Sequence, residues 1–174
     1  MSTTADKAVR VRRAQQSEAD LAFAIVREYY EAARVVVKDD FVQFRKDYFG
    51  KGAGVWLAYA NSQLAGCIAL RPLLPKSGPS RSKRAAEGGH EAIRPSVGEI
   101  KRLYVRPQCR GRGIAKELLT ALEEYARRCG YSELRLDTAA NMLAAAQLYR
   151  SCGFEECERY NDNPQAAFFM KKTI

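Results

Sequence analysis

The sequence predicts an α/β fold of the α+β kind, with a mixed, mostly antiparallel sheet of about six or seven strands flanked by about four helices. Three observations carry this. The β-rich runs 55–60 and 63–70 meet at Asn61-Ser62, a connection that suits an antiparallel hairpin. The strand-like run 99–105, stopped by Pro107, leads through a glycine-rich loop into the most periodic helical segment of the chain. Ile114, Leu118, Leu122 and Tyr125 share one face of that helix and Gly130 ends it. A second strand and helix, 134–137 and 142–151, follow, with Asn141 as the helix cap and Gly153 closing it. Two extended runs, 154–160 and 166–172, joined by the turn Asn161-Asp162-Asn163-Pro164, finish the chain.

The earlier elements are read the same way. A first strand spans 8–12. A helix starts at Ser17, with Asp20 returning the capping bond and Leu21, Ile25 and Tyr29 at helical spacing. A short helix follows from Asp40, with Phe41, Phe44 and Tyr48 on one side and Gly50 to Gly54 as its end. From about 72 to 97 the chain is rich in Pro, Gly, Ser, Lys and Arg without period, so a mobile loop is expected that interrupts the sheet without founding a second domain. Residues 1–174 are thus expected to form one domain, within the usual range of about 100–200 residues.

With 47% hydrophobic and 28% charged residues, wholesale disorder is excluded. The start, Met1 to Lys7, lacks the apolar core of a signal peptide, and no apolar run approaches the roughly 18 residues of a membrane span, so a cytoplasmic protein is expected. Cys67, Cys109, Cys129, Cys152 and Cys157 contain no Cys-x-x-Cys pair and read as reduced thiols, with no metal site expected. The net charge of +9 suits nucleic acid, and equally one nucleotide cofactor bearing several phosphates. The position of the arginines separates the two.

They gather at Gln108-Cys109-Arg110-Gly111-Arg112-Gly113. Gly111 and Gly113 permit positive φ and close ligand approach, so successive amides can converge on an anion at the start of the next helix, where the helix dipole adds attraction. Arg110 and Arg112 add full charge, with Arg106 and Lys116 within reach, and a pyrophosphate is the natural guest. A dinucleotide fingerprint needs a third glycine where Lys116 stands, and a Gly-Lys-Ser/Thr phosphate loop is absent.

With Gln108, Gly111 and Gly113 meeting the pattern Gln/Arg-x-x-Gly-x-Gly/Ala, the chain resembles the GNAT superfamily of N-acetyltransferases. Residues 99–105 look like that family's central strand, and Asn141, Ala145, Leu148, Tyr149, Gly153 and Phe154 resemble its second motif. The resemblance covers roughly residues 8 to 172. It implies a three-layer fold whose central strand splays from its neighbour at a bulge, with acetyl-CoA lying in the opening. Pantetheine would meet the backbone of Leu103 to Val105, Tyr104 included, and Asn141. The pyrophosphate would rest on Gln108, Cys109, Arg110, Gly111, Arg112 and Gly113, with Ile114 and Ala115 continuing the cradle.

Acetyl transfer to an amine needs a neutral amine, a stabilised oxyanion and a proton for the departing thiolate. The resemblance makes Tyr149 the acid, also placed beside the cofactor; the alternative is a core residue of the last helix. The resemblance also makes Glu99 the candidate base, directly or through water; its alternatives are a solvated carboxylate or an ion pair with Lys101. Strand alternation would put Glu99, Lys101, Leu103 and Val105 on one face. A covalent route through Cys109 or Cys152 lacks a paired base, since the sole histidine, His90, falls in the expected loop. Direct transfer in a ternary complex is therefore expected.

Two other functions stay open: a non-catalytic acyl-CoA-binding regulatory module, and a nucleic-acid-binding protein using Lys76, Arg81, Lys83 and Arg84. A homodimer is also open. The amine acceptor would be gripped by the first two helices, the 72–96 loop and the 161–164 turn. Arg71, Arg94 and Arg102 suit a carboxylate-bearing acceptor or are plain surface charge.

Overall fold

The computed structural model describes residues 9–36, 38–73 and 97–174. Most of the expected 72–97 loop lies outside them, as do Ala8, Lys76, Arg81, Lys83, Arg84, His90 and Arg94. Seven strands form one sheet: β1 (Val9–Arg13), β2 (Gly54–Ala60), β3 (Gln63–Pro72), β4 (Val97–Val105), β5 (Glu133–Ala139), β6 (Glu155–Glu156) and β7 (Ala166–Thr173). Their order is β1-β2-β3-β4-β5-β7-β6, and β4–β5 is the parallel pair in an otherwise antiparallel sheet. The helices are α1 (Ala19–Ala32), α2 (Phe41–Tyr48), α3 (Ile114–Cys129) and α4 (Leu143–Ser151).

Alternation along β2 and β3 builds the layers. Trp56, Ile68 and Leu70 pack with Leu118 and Leu122 of α3, whereas Val55, Leu57 and Cys67 pack with Ile25 and Val26 of α1 and Phe44 and Tyr48 of α2. The hairpin turn between β2 and β3 holds Asn61 and Ser62 at φ 51° and 63°, the geometry of a tight two-residue connection. Asp40 caps α2 as expected, its Oδ1 accepting the Gln43 amide at 2.8 Å.

Several local expectations are corrected. Ser17 lies inside a 3-10 turn, Gln16–Glu18, and α1 starts only at Ala19. The capping contact comes from Glu18, whose Oε2 accepts the Gln15 amide at 2.9 Å while Arg12 holds the same carboxylate. Leu21 is exposed, since the buried stripe runs through Ala22, Ile25, Val26 and Tyr30. Met142, not Asn141, occupies the cap position of α4, without a side-chain bond. The penultimate strand shrinks to Glu155–Glu156 because the chain leaves the sheet to form a long connection to β7.

The central strand carries the largest departure. The β3–β4 register shifts between Cys67, opposite Tyr104, and Ala69, opposite Lys101, and Arg102 sits at φ 60°. This is a β-bulge, and a non-glycine residue in left-handed backbone persists only where surrounding contacts hold it. Those contacts are Asp39, 2.7 Å from Arg102 Nη2, and the ring of Tyr30 under the guanidinium. The extra residue breaks the alternation expected for Glu99, Lys101, Leu103 and Val105. Ile100, Leu103 and Val105 join the α3 core, while Tyr104 packs on the α1 side.

Candidate active site

The β4–β5 ladder ends at Ile100 opposite Leu136. Beyond that point β4 stays with β3 as far as Val105, and β5 stays with β7 as far as Ala139, so the two strands part. A cleft of about 820 Å³ opens between them, with Leu103, Thr138, Ala145 and Tyr149 among its lining residues. An unpaired strand edge offers backbone donors and acceptors to an extended ligand.

β4 then delivers the chain to the glycine-rich loop. A short 3-10 turn, Pro107–Cys109, precedes Gly111 and Gly113, at φ 74° and 76°, and Gly113 caps α3. Backbone bonds engage the amides of Cys109, Arg110, Lys116 and Glu117. Among the described residues, the five amides between them, Gly111 to Ala115, donate to no backbone carbonyl. Five successive free donors at a helix N-terminus are what an anion needs. Gln108, Arg110 and Arg112 are exposed around them, Cys109 is half-buried against the core, and Ile114 is buried. Arg110 Nε donates to the Val105 carbonyl at 3.0 Å and so ties loop to strand. Arg106 is not available to a phosphate, because its guanidinium grips Glu28 of α1 at 2.6 and 2.9 Å and the Leu64 carbonyl at 2.6 Å.

The other end of the cleft is built from ions. Glu99 is 1% exposed, its Oε2 accepting Arg71 Nε at 2.8 Å, while Oε1 lies 3.1 Å from Lys101 Nζ and 3.3 Å from Asn161 Nδ2. Arg71 also binds Asp47 of α2 at 2.9 Å. Lys101 bridges to Asp137 of β5, whose second oxygen accepts from Asn163. Burial works against the ionised form of Asp137, but the Lys101 charge and the bonds from Lys101, Asn163 and Asn161 outweigh it and hold its carboxyl below the usual range. Arg71 and Arg102, which the sequence left between substrate recognition and surface charge, both line the cleft, each already paired with carboxylates. The fully buried Tyr48 hydroxyl and Arg102 Nε have no hydrogen-bond partner among the described residues.

Tyr149 projects from α4 into the cleft wall, 5% exposed, edge-on to Phe154 with ring centroids 5.5 Å apart. Burial, reinforced by the neighbouring Tyr29 and Asp137, pushes its phenol well above the ordinary tyrosine value, so it stays protonated at any working pH.

Comparison with known proteins decides the family. The acetyltransferase (GNAT) family model matches residues 20–154. The chain belongs to the GNAT acetyltransferase family. An uncharacterised N-acetyltransferase of Schizosaccharomyces pombe is 33% identical over 133 residues, covering 72% of this chain and 81% of that one. N-acetyltransferase 8B of Rattus norvegicus is 30% identical over 122 residues, covering 70% of this chain and 48% of its own length. This chain thus spans about half of that relative. Among solved structures, a GNAT acetyltransferase of Staphylococcus aureus superposes with a TM-score of 0.71 at 17% identity, covering 95% of this chain and 99% of its own. A protein of Salmonella typhimurium, solved with its cofactor acetyl-CoA, gives 0.66 at 19% identity, covering 95% of this chain and 94% of its own. At such identities the likeness shows the fold alone; the layers and the parting of β4 from β5 are seen in this chain itself.

Within this GNAT acetyltransferase, the cleft brings Glu99, Leu103 and Tyr149 together. Tyr104 turns to Tyr29 on the α1 side, Val105 enters the core, and Asn141 stands exposed one residue before the cleft-lining Met142. The sequence reading missed Lys101, Asp137 and Asn163 as a connected group. One signal was present: Asp137 ends the apolar-alternating run 134–137, and its side chain is 2% exposed, where a charged residue needs partners. All five cysteines are free. Among the described residues no group of three or more His, Cys, Asp and Glu side chains is placed to hold a metal, and no helix is long and apolar enough to cross a membrane.

Proposed function

We propose that this GNAT acetyltransferase moves the acetyl group of acetyl-CoA directly to an amine, with both substrates bound at once. The observation that carries the reading is the run of five unengaged amides from Gly111 to Ala115 at the end of an open β4 edge. The amides fit a pyrophosphate, with Gln108, Cys109, Arg110 and Arg112 around it, and the open edge at Leu103, Tyr104 and Val105 fits an extended amide-bearing arm, with Asn141 nearby. When bound, acetyl-CoA supplies the acyl group as a thioester.

The protein's own part is positioning and proton management. Tyr149 keeps its proton and donates a hydrogen bond toward the departing sulfur. Its raised pKa makes full transfer to a thiolate of ordinary pKa, about 8.5, uphill, so it acts mainly by stabilising the developing charge. Glu99 has both oxygens engaged by Arg71, Lys101 and Asn161, so it draws the amine proton away through water rather than by direct contact.

A thiol-release assay with acetyl-CoA over a panel of primary amines, beside calorimetric titration of acetyl-CoA, tests the proposal. Binding without release for any amine would leave a regulatory acyl-CoA-binding module in its place.

A further inference from the structure

We propose that Gln165 straps and narrows the acceptor mouth of the cleft and so selects amines carried on slender, unbranched stems; this rests on the acetyl-transfer reading above. The Gln165 side chain makes two bonds across the opening, its Nε2 donating to the Arg34 carbonyl at 3.0 Å and its Oε1 accepting the Val36 amide at 2.8 Å. Both partners lie just past α1, on the lip where Ala33 and Val35 line the cleft. Gln165 belongs to the opposite lip, 129 and 131 residues away in sequence.

The strap has a firm inner end. Asn161 donates to Glu99 and Asn163 to Asp137, so the segment 161–165 is pinned to the carboxylates of the floor before it reaches the far lip. Asn163 Oδ1 also accepts the Gln165 amide at 3.1 Å, which fixes the backbone from which Gln165 reaches out. Arg34 meets it with φ 51°, a left-handed residue that turns the chain at the end of α1. The outer bonds are exposed, and each such bond favours the closed form by roughly two- to tenfold. The mouth therefore opens at modest cost for a thick acceptor and not at all for a thin one.

The experiment compares propylamine with 2,2-diphenylethylamine as acceptors in the wild-type protein, Gln165→Ala and Gln165→Glu. The ratio of kcat/KM values, bulky over slender, is expected to rise about fivefold or more in Gln165→Ala. It should rise less in Gln165→Glu, which keeps the Val36 contact but cannot donate to Arg34. An unchanged ratio, or a wild-type protein indifferent to the bulk of the amine, overturns the inference. The Val36 amide gives a readout independent of catalysis: its hydrogen exchange should be slowed in the wild type and accelerate in Gln165→Ala. If neither amine releases thiol although acetyl-CoA binds, the acetyl-transfer reading fails by itself. The strap is then judged on exchange at Val36, and fast exchange in the wild type sinks it.

Discussion

Arg71 and Glu99, cross-strand partners on β3 and β4, meet at 2.8 Å, and the second Glu99 oxygen lies 3.1 Å from Lys101. A carboxylate so placed organises the cleft wall. Replacing it by an amide leaves two cations facing a weak acceptor and an NH₂ group that opposes them. Glu99→Gln is expected to lower stability by about 2 kcal/mol, below the range for a fully buried pair because Arg71 is 34% exposed in its side chain. Urea unfolding measures this. Unchanged stability would mean that the ion pairs of Glu99 do not hold the cleft wall together.

Tyr149→Phe should lower kcat by about ten- to a hundredfold, the worth of one hydrogen bond to a charged atom, with the acetyl-CoA dissociation constant nearly unchanged. Because burial raises the phenol above its ordinary value, the wild-type rate should show no alkaline decline from this residue up to about pH 10. A decline near neutral pH that vanishes in Tyr149→Phe would contradict the assignment.

What the sequence made legible follows from what is local. The hairpin at Asn61-Ser62, the Asp40 cap and the Gly113-to-Gly130 helix depend on a few consecutive residues, and all three formed as expected. The positive φ of Gly111 and Gly113 was legible for the same reason, since it lies in the glycines themselves. The face assignment along β4 failed because period-two alternation has no sign for a bulge when the left-handed residue is Arg102 rather than glycine. Asp39, which holds that arginine, is distant in sequence. The pairing of Glu99 with Lys101, two residues on, was one of the alternatives the sequence offered, whereas its continuation to Asp137 joins two strands with a helix between them, and no spacing in the chain announces it.

Asp137 should leave its mark on acid stability. Its folded-state carboxyl titrates below the unfolded value of about 3.9, because Lys101 and the asparagines outweigh its burial. Stability from this group is therefore fully present above that pH and is lost as pH falls through the lower folded value, giving a positive slope of unfolding free energy with pH in the acid range. Asp137→Asn removes the slope along with the Lys101 ion pair. Unfolding of the two proteins at pH 7 and pH 3 should show the wild-type advantage shrinking at the lower pH. A constant difference would mean the carboxylate does not contribute through its charge.

Gly113 tests the proposed cofactor loop without disturbing the core. A Cβ placed there meets no heavy atom within 4 Å, so Gly113→Ala introduces no clash and its effect is conformational, from φ 76°. Left-handed backbone costs an L-residue roughly 1–2 kcal/mol, which the protein either bears as lost stability or relieves by turning the loop. Relief re-aims the amides of Gly113, Ile114 and Ala115, and with them the anion cradle. The expected result is a rise of about tenfold or more in the acetyl-CoA dissociation constant, the effect of losing a single charge-assisted bond. Gly66→Ala is the contrast, since its Cβ would stand 2.5 Å from the Tyr104 carbonyl oxygen and must push β3 from β4. That variant should lose stability first and binding only in consequence. Calorimetry and urea unfolding of the pair separate the two effects, and equal loss of stability in both would show that Gly113 serves the fold rather than the phosphate.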